Sequence, residues 1–467
     1  MDESYRVEVD SMGEVHVPRN AYWGAQTQRA VENFAISGIR FPRSFIRALG
    51  MVKLAAARAN VKLGLLDKRL GEAIERASRE VMEGKFDEHF VVDIFQTGSG
   101  TSTNMNANEV IANRANELLG TGLGKKSPVH PNDHVNMGQS SNDVIPTCMH
   151  IAALLGIEGD LLHSLRKLAE ELLRKEKEFD SIVKVGRTHC QDATPIRLGQ
   201  EFGGYRSMVE HGIKRVESVR ESLQELAIGG TAVGTGINTH PQFARLVIEE
   251  LNRTTGLNFR EAENHFEAQG SKDSVVQASS MLKCVAVSLM KIANDLRFLS
   301  SGPRCGIGEL ILPAVQPGSS MMPGKVNPVI AESLCQICAQ VIGNDTVIAI
   351  GGMMGHLELN VMMPVMAHNL LQSIEILSRG VENFAVRCIR GLRADEARIK
   401  EMVDRSLALC TALSPYIGYE AASSLAKEAY EKGKTIMELA KEKGMLPQEK
   451  LDELLDPGRM TGKEKNC

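Results

Sequence analysis

A mainly α-helical fold in three domains, the middle one a bundle of five long helices, is predicted by three features of this sequence. Aromatic residues make up only 4% of it, while Ala, Leu, Met and Gly are plentiful. That balance favours helix over sheet. Five stretches, residues 145–179, 196–228, 271–301, 329–350 and 360–389, carry helical apolar spacing, and at ~1.5 Å rise per residue thirty residues span ~45 Å, longer than a small domain is wide. Finally, 467 residues exceed one ordinary hydrophobic core, and the pattern shortens after Gly391. The expected division is 1–143, mixed and mostly helical; 144–391, the long-helix bundle; and 392–467, a small helical domain.

Taken in order, residues 5–35 mix short β-like alternation (Arg6-Val7-Glu8-Val9) with turns, and residues 44–62 and 70–83 read as packing helices. The loop Gln96-Thr97-Gly98-Ser99-Gly100-Thr101-Ser102-Thr103-Asn104 has no aliphatic side chain and feeds a helix over 105–118. Nine such residues are buried only if their polar groups find partners, which a bound oxyanion supplies; an N-capping loop is the alternative. A second polar run follows, His130-Pro131-Asn132-Asp133-His134-Val135-Asn136 and then Gly138-Gln139-Ser140-Ser141-Asn142-Asp143, before the first long helix. A third, Gly186-Arg187-Thr188-His189-Cys190-Gln191-Asp192-Ala193-Thr194-Pro195, reads as a polar turn feeding the second long helix. His189 is its natural titrating group, since histidine ionises nearest neutrality; a structural histidine is the alternative. Residues 229–238 break that helix with glycines. Short and long helices follow over 241–251 and 271–301.

The fourth loop is the most specific. Residues 317–332 read Pro-Gly-Ser-Ser-Met-Met-Pro-Gly-Lys-Val-Asn-Pro-Val-Ile-Ala-Glu. Three prolines and two glycines forbid a continuous helix or central strand, so Ser319, Ser320, Lys325 and Asn327 lie on a shaped loop. It ends at a helix start beside Pro328, where free N–H groups, a lysine and an amide suit a carboxylate. Alone, such a loop is more often a plain connection; four of the same grammar point to a site. Helices over 329–350 and 360–389, split by Gly351-Gly352-Met353-Met354-Gly355, are apolar on more than one face, which predicts a homo-oligomer whose subunits pool helices. The methionines 353, 354, 362, 363 and 366 read as core packing rather than a cofactor box. Short helices over 396–413, 420–432, 435–443 and 448–455 complete the chain.

A net charge of −4 gives no general attraction for nucleic acid or an anionic membrane. The start, Met1-Asp2-Glu3-Ser4, has no secretory or transit character, and no run of eighteen uninterrupted lipid-facing residues is expected. Nine cysteines, an odd number, lie mostly in apolar helical stretches and read as reduced residues of a cytoplasmic protein. Cys335 and Cys338 form a lone C-x-x-C without a second pair. There is no metal-ligand set, no Walker motif and no dinucleotide fingerprint, so a metal-free, cofactor-free site for a small multi-anionic molecule is expected, and a dicarboxylate fits.

These motifs resemble the fumarase/aspartase superfamily. The run Gly318 to Asn327 is similar to its signature, and the match extends to Thr97-Gly98-Ser99-Gly100-Thr101 with Asn104-Met105-Asn106, to Ser140-Ser141-Asn142-Asp143 and to Gly186-Arg187-Thr188-His189. Ala227 to Gly236, Glu358-Leu359-Asn360 and His368-Asn369 look like the class II fumarase versions; aspartate ammonia-lyase and a catalytically silent helical scaffold are the alternatives. The resemblance implies a homotetramer with a twenty-helix core and active sites built from three subunits. It implies malate and fumarate as ligands, with Ser319 as base through an aci-carboxylate intermediate. His189, paired with Glu332, would be the acid, and Lys325 and Asn327 would stabilise the intermediate. Ser99, Gly100, Thr101, Ser140, Ser141, Asn142, Thr188, Ser320 and Val326 would complete the substrate site. A second dicarboxylate position is implied at His130, Pro131, Asn132 and Asp133, with Lys126 upstream where arginine is more usual; a capping turn is the alternative there.

Overall fold

A computed structural model describes residues 4–462; the acidic start at residues 1–3 and the end of the polar tail at 463–467 lie outside the described residues. The fold is mainly α, as expected, with strands only in two-stranded pairs. The described residues divide into two compact units. One draws on Met1–His163, Lys214–Ala286 and Ala339–Ser378, the other on Ser164–Ile213, Val287–Cys338 and Arg379–Cys467.

In the first unit the predicted alternation becomes a hairpin, Tyr5–Asp10 against Gly13–Pro18, turned at Gly13 with φ +113. The helix Ala25–Asn33 has no side-chain cap of its own. The buried Glu109 carboxylate supplies one, accepting from the N–H groups of Gly24 (2.8 Å), Gln26 (3.0 Å) and Thr27 (3.1 Å). A helix N-terminus, with its unpaired donors, is where a buried carboxylate is best placed. The buried helix Arg43–Lys62 packs on Lys68–Met82, Ser141–Gly156 and Phe243–Thr255. In the second unit the small C-terminal helices close over their own core of Leu409, Leu413, Leu425, Ile436, Leu439 and Leu451.

Long helices appear near their expected positions: Ser141–Gly156 continuing through a π-turn into Leu162–Glu178, then Asp273–Leu299, Val329–Met353 and Met363–Phe384. The stretch 196–228 differs. Residues 183–197 form a β-hairpin, the helix is only Leu198–Glu217, and a four-residue turn of helix, Arg220–Leu223, leads into a strand at Glu225–Leu226. Tertiary pairing ends that helix: Glu225 and Leu226 pair in parallel with Arg260 and Glu261, and Arg220 is held by Glu158. The division between the two units falls within the long helices.

The methionine run is only partly core. Met363 and Met366 are fully buried, whereas Met353 is 75% exposed. The expectation that no segment suits a membrane also needs correction. Ser141–Glu178, Asp273–Leu299 and Val329–Met353 are long and apolar enough, by length and composition, to cross one. Their apolar residues are not all covered within the chain: Val287 and Phe298 on one helix and Val347 and Ile350 on another are exposed.

Candidate active site

The first unit holds two of the polar loops. Gly98 lies so close to another backbone that a Cβ there would sit 1.9 Å from the Val361 carbonyl oxygen, and the Gly98 carbonyl accepts from the Met363 N–H at 3.1 Å. Gly100, at φ +73, is the N-cap of the helix Thr101–Leu118, which therefore starts four residues earlier than expected. The chain turns left-handed there, a conformation glycine adopts without penalty, and delivers free N–H groups and hydroxyls at the helix start. The Ser99 and Thr101 hydroxyls are 2.7 Å apart.

Ser140 caps the helix Ser141–Gly156 in a reciprocal capping box with Asp143. Asp143 is fully buried and accepts from the N–H groups of Ser140 (2.9 Å), Gly229 (3.0 Å) and Thr231 (3.0 Å). Burial pushes its carboxyl up to about 6. The Asn142 amide donates to the Ala232 carbonyl at 2.7 Å. Asp143 and Asn142 thus tie the glycine-rich run 229–236 to the Ser140–Asn142 loop.

Beneath these loops lies a polar layer that sequence reasoning missed. The fully buried Lys53 ammonium donates to Asn136 Oδ1 and Gln139 Oε1, each at 3.0 Å. Asn136 Oδ1 also accepts from the amides of Asn104 and Asn108 at 3.1 Å, and the Asn104 amide reaches Ser141 Oγ at 3.1 Å. Burial drives the Lys53 ammonium down to about 7, against the raising influence of Cys148 and Asp143.

The implied second dicarboxylate position lies in the same unit. Pro131–Val135 is a single π-turn, and His130 Nδ1 accepts from the N–H groups of Asn132 and Asp133 at 3.2 Å. Within the chain the segment caps itself. Lys126 bonds the Val9 carbonyl.

In the second unit, Thr188 and His189 stand at the tip of the hairpin Val183–Thr188 with Gln191–Arg197. Thr188 pairs with Gln191, leaving a two-residue turn in which His189 and Cys190 have φ +55 and +58. Positive φ at both positions is the signature of tight hairpin turns, usually filled by Asn-Gly; histidine and cysteine there are strained. The hairpin is anchored below by Lys184, buried between Glu201 (3.0 Å) and Glu309 (3.2 Å), and by Arg187 donating to Glu309 at 2.8 Å. His189 itself is exposed.

The loop before Val329–Met353 closes on itself at its neck. The Gly318 N–H donates to the Lys325 carbonyl at 2.8 Å, and the Asn327 amide donates to the Gly318 carbonyl. A Cβ at Gly318 would meet the Lys325 oxygen at 2.5 Å. Inside the loop, Ser319 Oγ accepts from the N–H groups of Met321 (3.1 Å) and Met322 (2.9 Å). Ser320, Lys325 and Val326 are exposed, and Glu332 lies in the first helical turn, its N–H bonded to the Pro328 carbonyl. Within one chain no hydrogen bond or ion pair joins His189 to Glu332, among the described residues; the expected pair is not made inside a single subunit. The site residues therefore fall into two sets: Ser99, Gly100, Thr101, Ser140, Ser141 and Asn142 in one unit, Thr188, His189, Ser319, Ser320, Lys325, Val326, Asn327 and Glu332 in the other.

Comparison with known proteins decides the family. A family model described as lyase matches residues 13–343, and one described as fumarase C C-terminus matches 409–462. Fumarate hydratase class II of Halobacterium salinarum is 57% identical over 461 residues, covering 99% of this chain and 98% of that protein. The chain belongs to the class II fumarate hydratases. The mitochondrial fumarate hydratase of Saccharomyces cerevisiae, another member, is 52% identical over 99% of this chain and 95% of its own length. Among solved structures, class II fumarase from Schistosoma mansoni superposes with a TM-score of 0.95 at 41% identity, covering 98% of this chain and 99% of that one. The fumarate hydratases are lyases, and the Halobacterium relative covers 99% of the chain, so the long helices and the C-terminal cluster are parts of one enzyme.

Proposed function

We propose that the chain is a fumarate hydratase that eliminates water reversibly, in the anti sense, from L-malate to give fumarate, as a step of the tricarboxylic acid cycle. The observation that carries the chemistry is the Ser319 oxygen, which already accepts two backbone N–H bonds in a loop closed at its neck. Donors aimed at an oxygen favour its charged form, so the same geometry lowers the cost of an alkoxide. As base, Ser319 takes the proton from the carbon beside one carboxylate, leaving the electron pair delocalised as an aci-carboxylate. Lys325 and Asn327 stabilise that charge, and His189 gives a proton to the departing hydroxyl so that water leaves from the neighbouring carbon. Ser99, Gly100, Thr101, Ser140, Ser141, Asn142, Thr188, Ser320 and Val326 hold the carboxylates and hydroxyl.

The enzyme acts as a homotetramer in which three subunits build each site around a core of twenty helices, each subunit contributing three domains. Two observations support this. Apolar residues along the long helices, Val287 and Val347 among them, are exposed in the chain, and among the described residues no hydrogen bond or ion pair joins His189 to Glu332. Helices pooled between subunits would cover the first, and a pair contributed by two different subunits would account for the second. The segment His130, Pro131, Asn132 and Asp133 is the second dicarboxylate position, opened when an anion replaces the His130 cap on the N–H groups. Eight cysteines in the described residues are all free, which supports the reducing cytoplasm as the compartment. The test is absorbance of fumarate near the ultraviolet edge with purified protein given L-malate or L-aspartate. Signal from malate is expected; signal from aspartate alone would move the activity to ammonia-lyase, and silence from both in a folded tetramer would leave a scaffold.

A further inference from the structure

A buried ammonium usually faces a carboxylate, because an unpaired charge in a protein interior costs several kcal/mol. Lys53 does not. It lies in the middle of the buried helix Arg43–Lys62, has no exposed surface, and its hydrogen-bond partners among the described residues are two amide oxygens, Asn136 Oδ1 and Gln139 Oε1. Of the acids near it, Asp143 spends its oxygens on the N–H groups of Ser140, Gly229 and Thr231. The amides that Lys53 grips belong to the polar layer under both carboxylate loops. Asn136 Oδ1 gathers three donors, from Lys53, Asn104 and Asn108, and its own amide donates to the Gln139 carbonyl at 3.0 Å. Asn104 then donates to Ser141 Oγ, one residue past the Ser140 cap. Asn104 stands in the first turn of the helix that begins at Thr101, so one side-chain relay joins the starts of two helices.

We propose that Lys53 is a positioning residue for the substrate dianion: through Asn136 and Gln139 it fixes the spacing between the Ser99–Thr101 and Ser140–Asn142 loops. Its uncompensated charge meanwhile favours carboxylates held there. This deepens the fumarate hydratase reading and rests on it. Lys53 touches no reacting atom, so it acts on binding of ground state and transition state alike. That signature is a raised KM with kcat little changed. A residue needed only for folding has no reason to separate the two constants.

Three variants test this in the full-length protein: Lys53→Met, which keeps the stem and removes the charge, Asn136→Ala, and Asn136→Asp, which keeps acceptor oxygens toward Lys53 and Asn104. Wild-type turnover of L-malate is measured first; its absence refutes the fumarate hydratase reading and this proposal with it. With wild type active, Lys53→Met and Asn136→Ala are expected to raise KM for malate and fumarate about ten-fold or more, with kcat within about three-fold, the scale of one lost charge-assisted hydrogen bond. The double variant should be no worse than the worse single one, because both cut the same relay. Asn136→Asp should recover KM toward wild type. Unchanged KM in a folded Lys53→Met, additive losses in the double variant, or an Asn136→Asp as impaired as Asn136→Ala would each overturn the proposal. If Lys53→Met does not assemble, the two Asn136 variants decide alone.

Discussion

Replacing Ser319 with alanine removes one oxygen and tests the centre of the mechanism. In the structure that oxygen accepts from Met321 at 3.1 Å and Met322 at 2.9 Å. A hydrogen bond to a charged group is worth about 1.5–3 kcal/mol against about 0.5–1.5 kcal/mol to a neutral one, so two of them favour the alkoxide over the hydroxyl by roughly 2–3 kcal/mol. Serine is otherwise a poor base, and the alanine variant loses both the base and this assistance. Turnover of L-malate should therefore fall by at least ~10²–10⁴-fold, the usual contribution of a positioned general base. The fold should not follow. Ser319 lies in an external loop, and the two bonds it makes as a neutral hydroxyl contribute about 0.5–1.5 kcal/mol each. The assay is ultraviolet absorbance of fumarate, beside gel filtration and thermal unfolding of the same sample. Turnover within a few-fold of wild type in a folded Ser319→Ala protein would remove Ser319 from the role of base.

His189→Asn should lower turnover and alter the pH–rate profile; an unchanged profile would refute the general-acid assignment. Mixing it with Ser319→Ala subunits should restore activity, because some mixed sites carry both intact residues, and no recovery after confirmed subunit exchange would refute shared sites. Two buried groups, Lys53 and Asp143, also make a prediction about pH. Lys53 is held near 7 in the fold against 10.5 for the free side chain, so the native state binds its proton less tightly and gains stability from this group as pH rises from 7 towards 10.5. Asp143, held near 6 against 3.8, contributes stability that is full below 3.8 and lost as pH rises through 6, so the two windows do not overlap. The thermal midpoint of Lys53→Met relative to wild type should therefore fall between pH 7 and 10, and a constant difference would refute the burial of a neutralising lysine.

How much of this was legible in the sequence depended on whether the signal was local. The neck of the loop before Val329–Met353 was readable because glycine and proline impose their own geometry: Gly318 stands where a Cβ would strike the Lys325 oxygen, and Pro328 marks the helix start. The loop Gln96 to Asn104 was readable because seven polar side chains and two glycines, with no aliphatic residue among them, announce that they need partners. The hairpin carrying His189 was not. Its turn, His-Cys, lacks the Asn-Gly signature that usually marks a two-residue reversal, and Pro195 beside an apolar run reads as a helix start. What holds the turn is tertiary, namely Lys184 and Arg187 clamped on Glu309 more than a hundred residues away.

Lys53 was hidden for the opposite reason. In a stretch that reads Met-Val-Lys-Leu-Ala-Ala-Ala, a lone lysine on an amphipathic helix belongs by default to the solvated face. Only the packing of Ser141–Gly156 and the Pro131–Val135 turn against Arg43–Lys62 places that position inside. The same packing explains why the cation survives there. A surface lysine contributes little and is screened, whereas one buried beneath the Ser99–Thr101 and Ser140–Asn142 loops keeps its field in a low-dielectric interior, where it would be worth more to a dianion bound at those loops. The interior thus accepts a desolvation cost at one helix so that two loops, distant in sequence, present a preorganised and positively biased surface. In a protein that carries a net negative charge, a local cation of this kind is how the proposed site would offset repulsion of a doubly charged substrate.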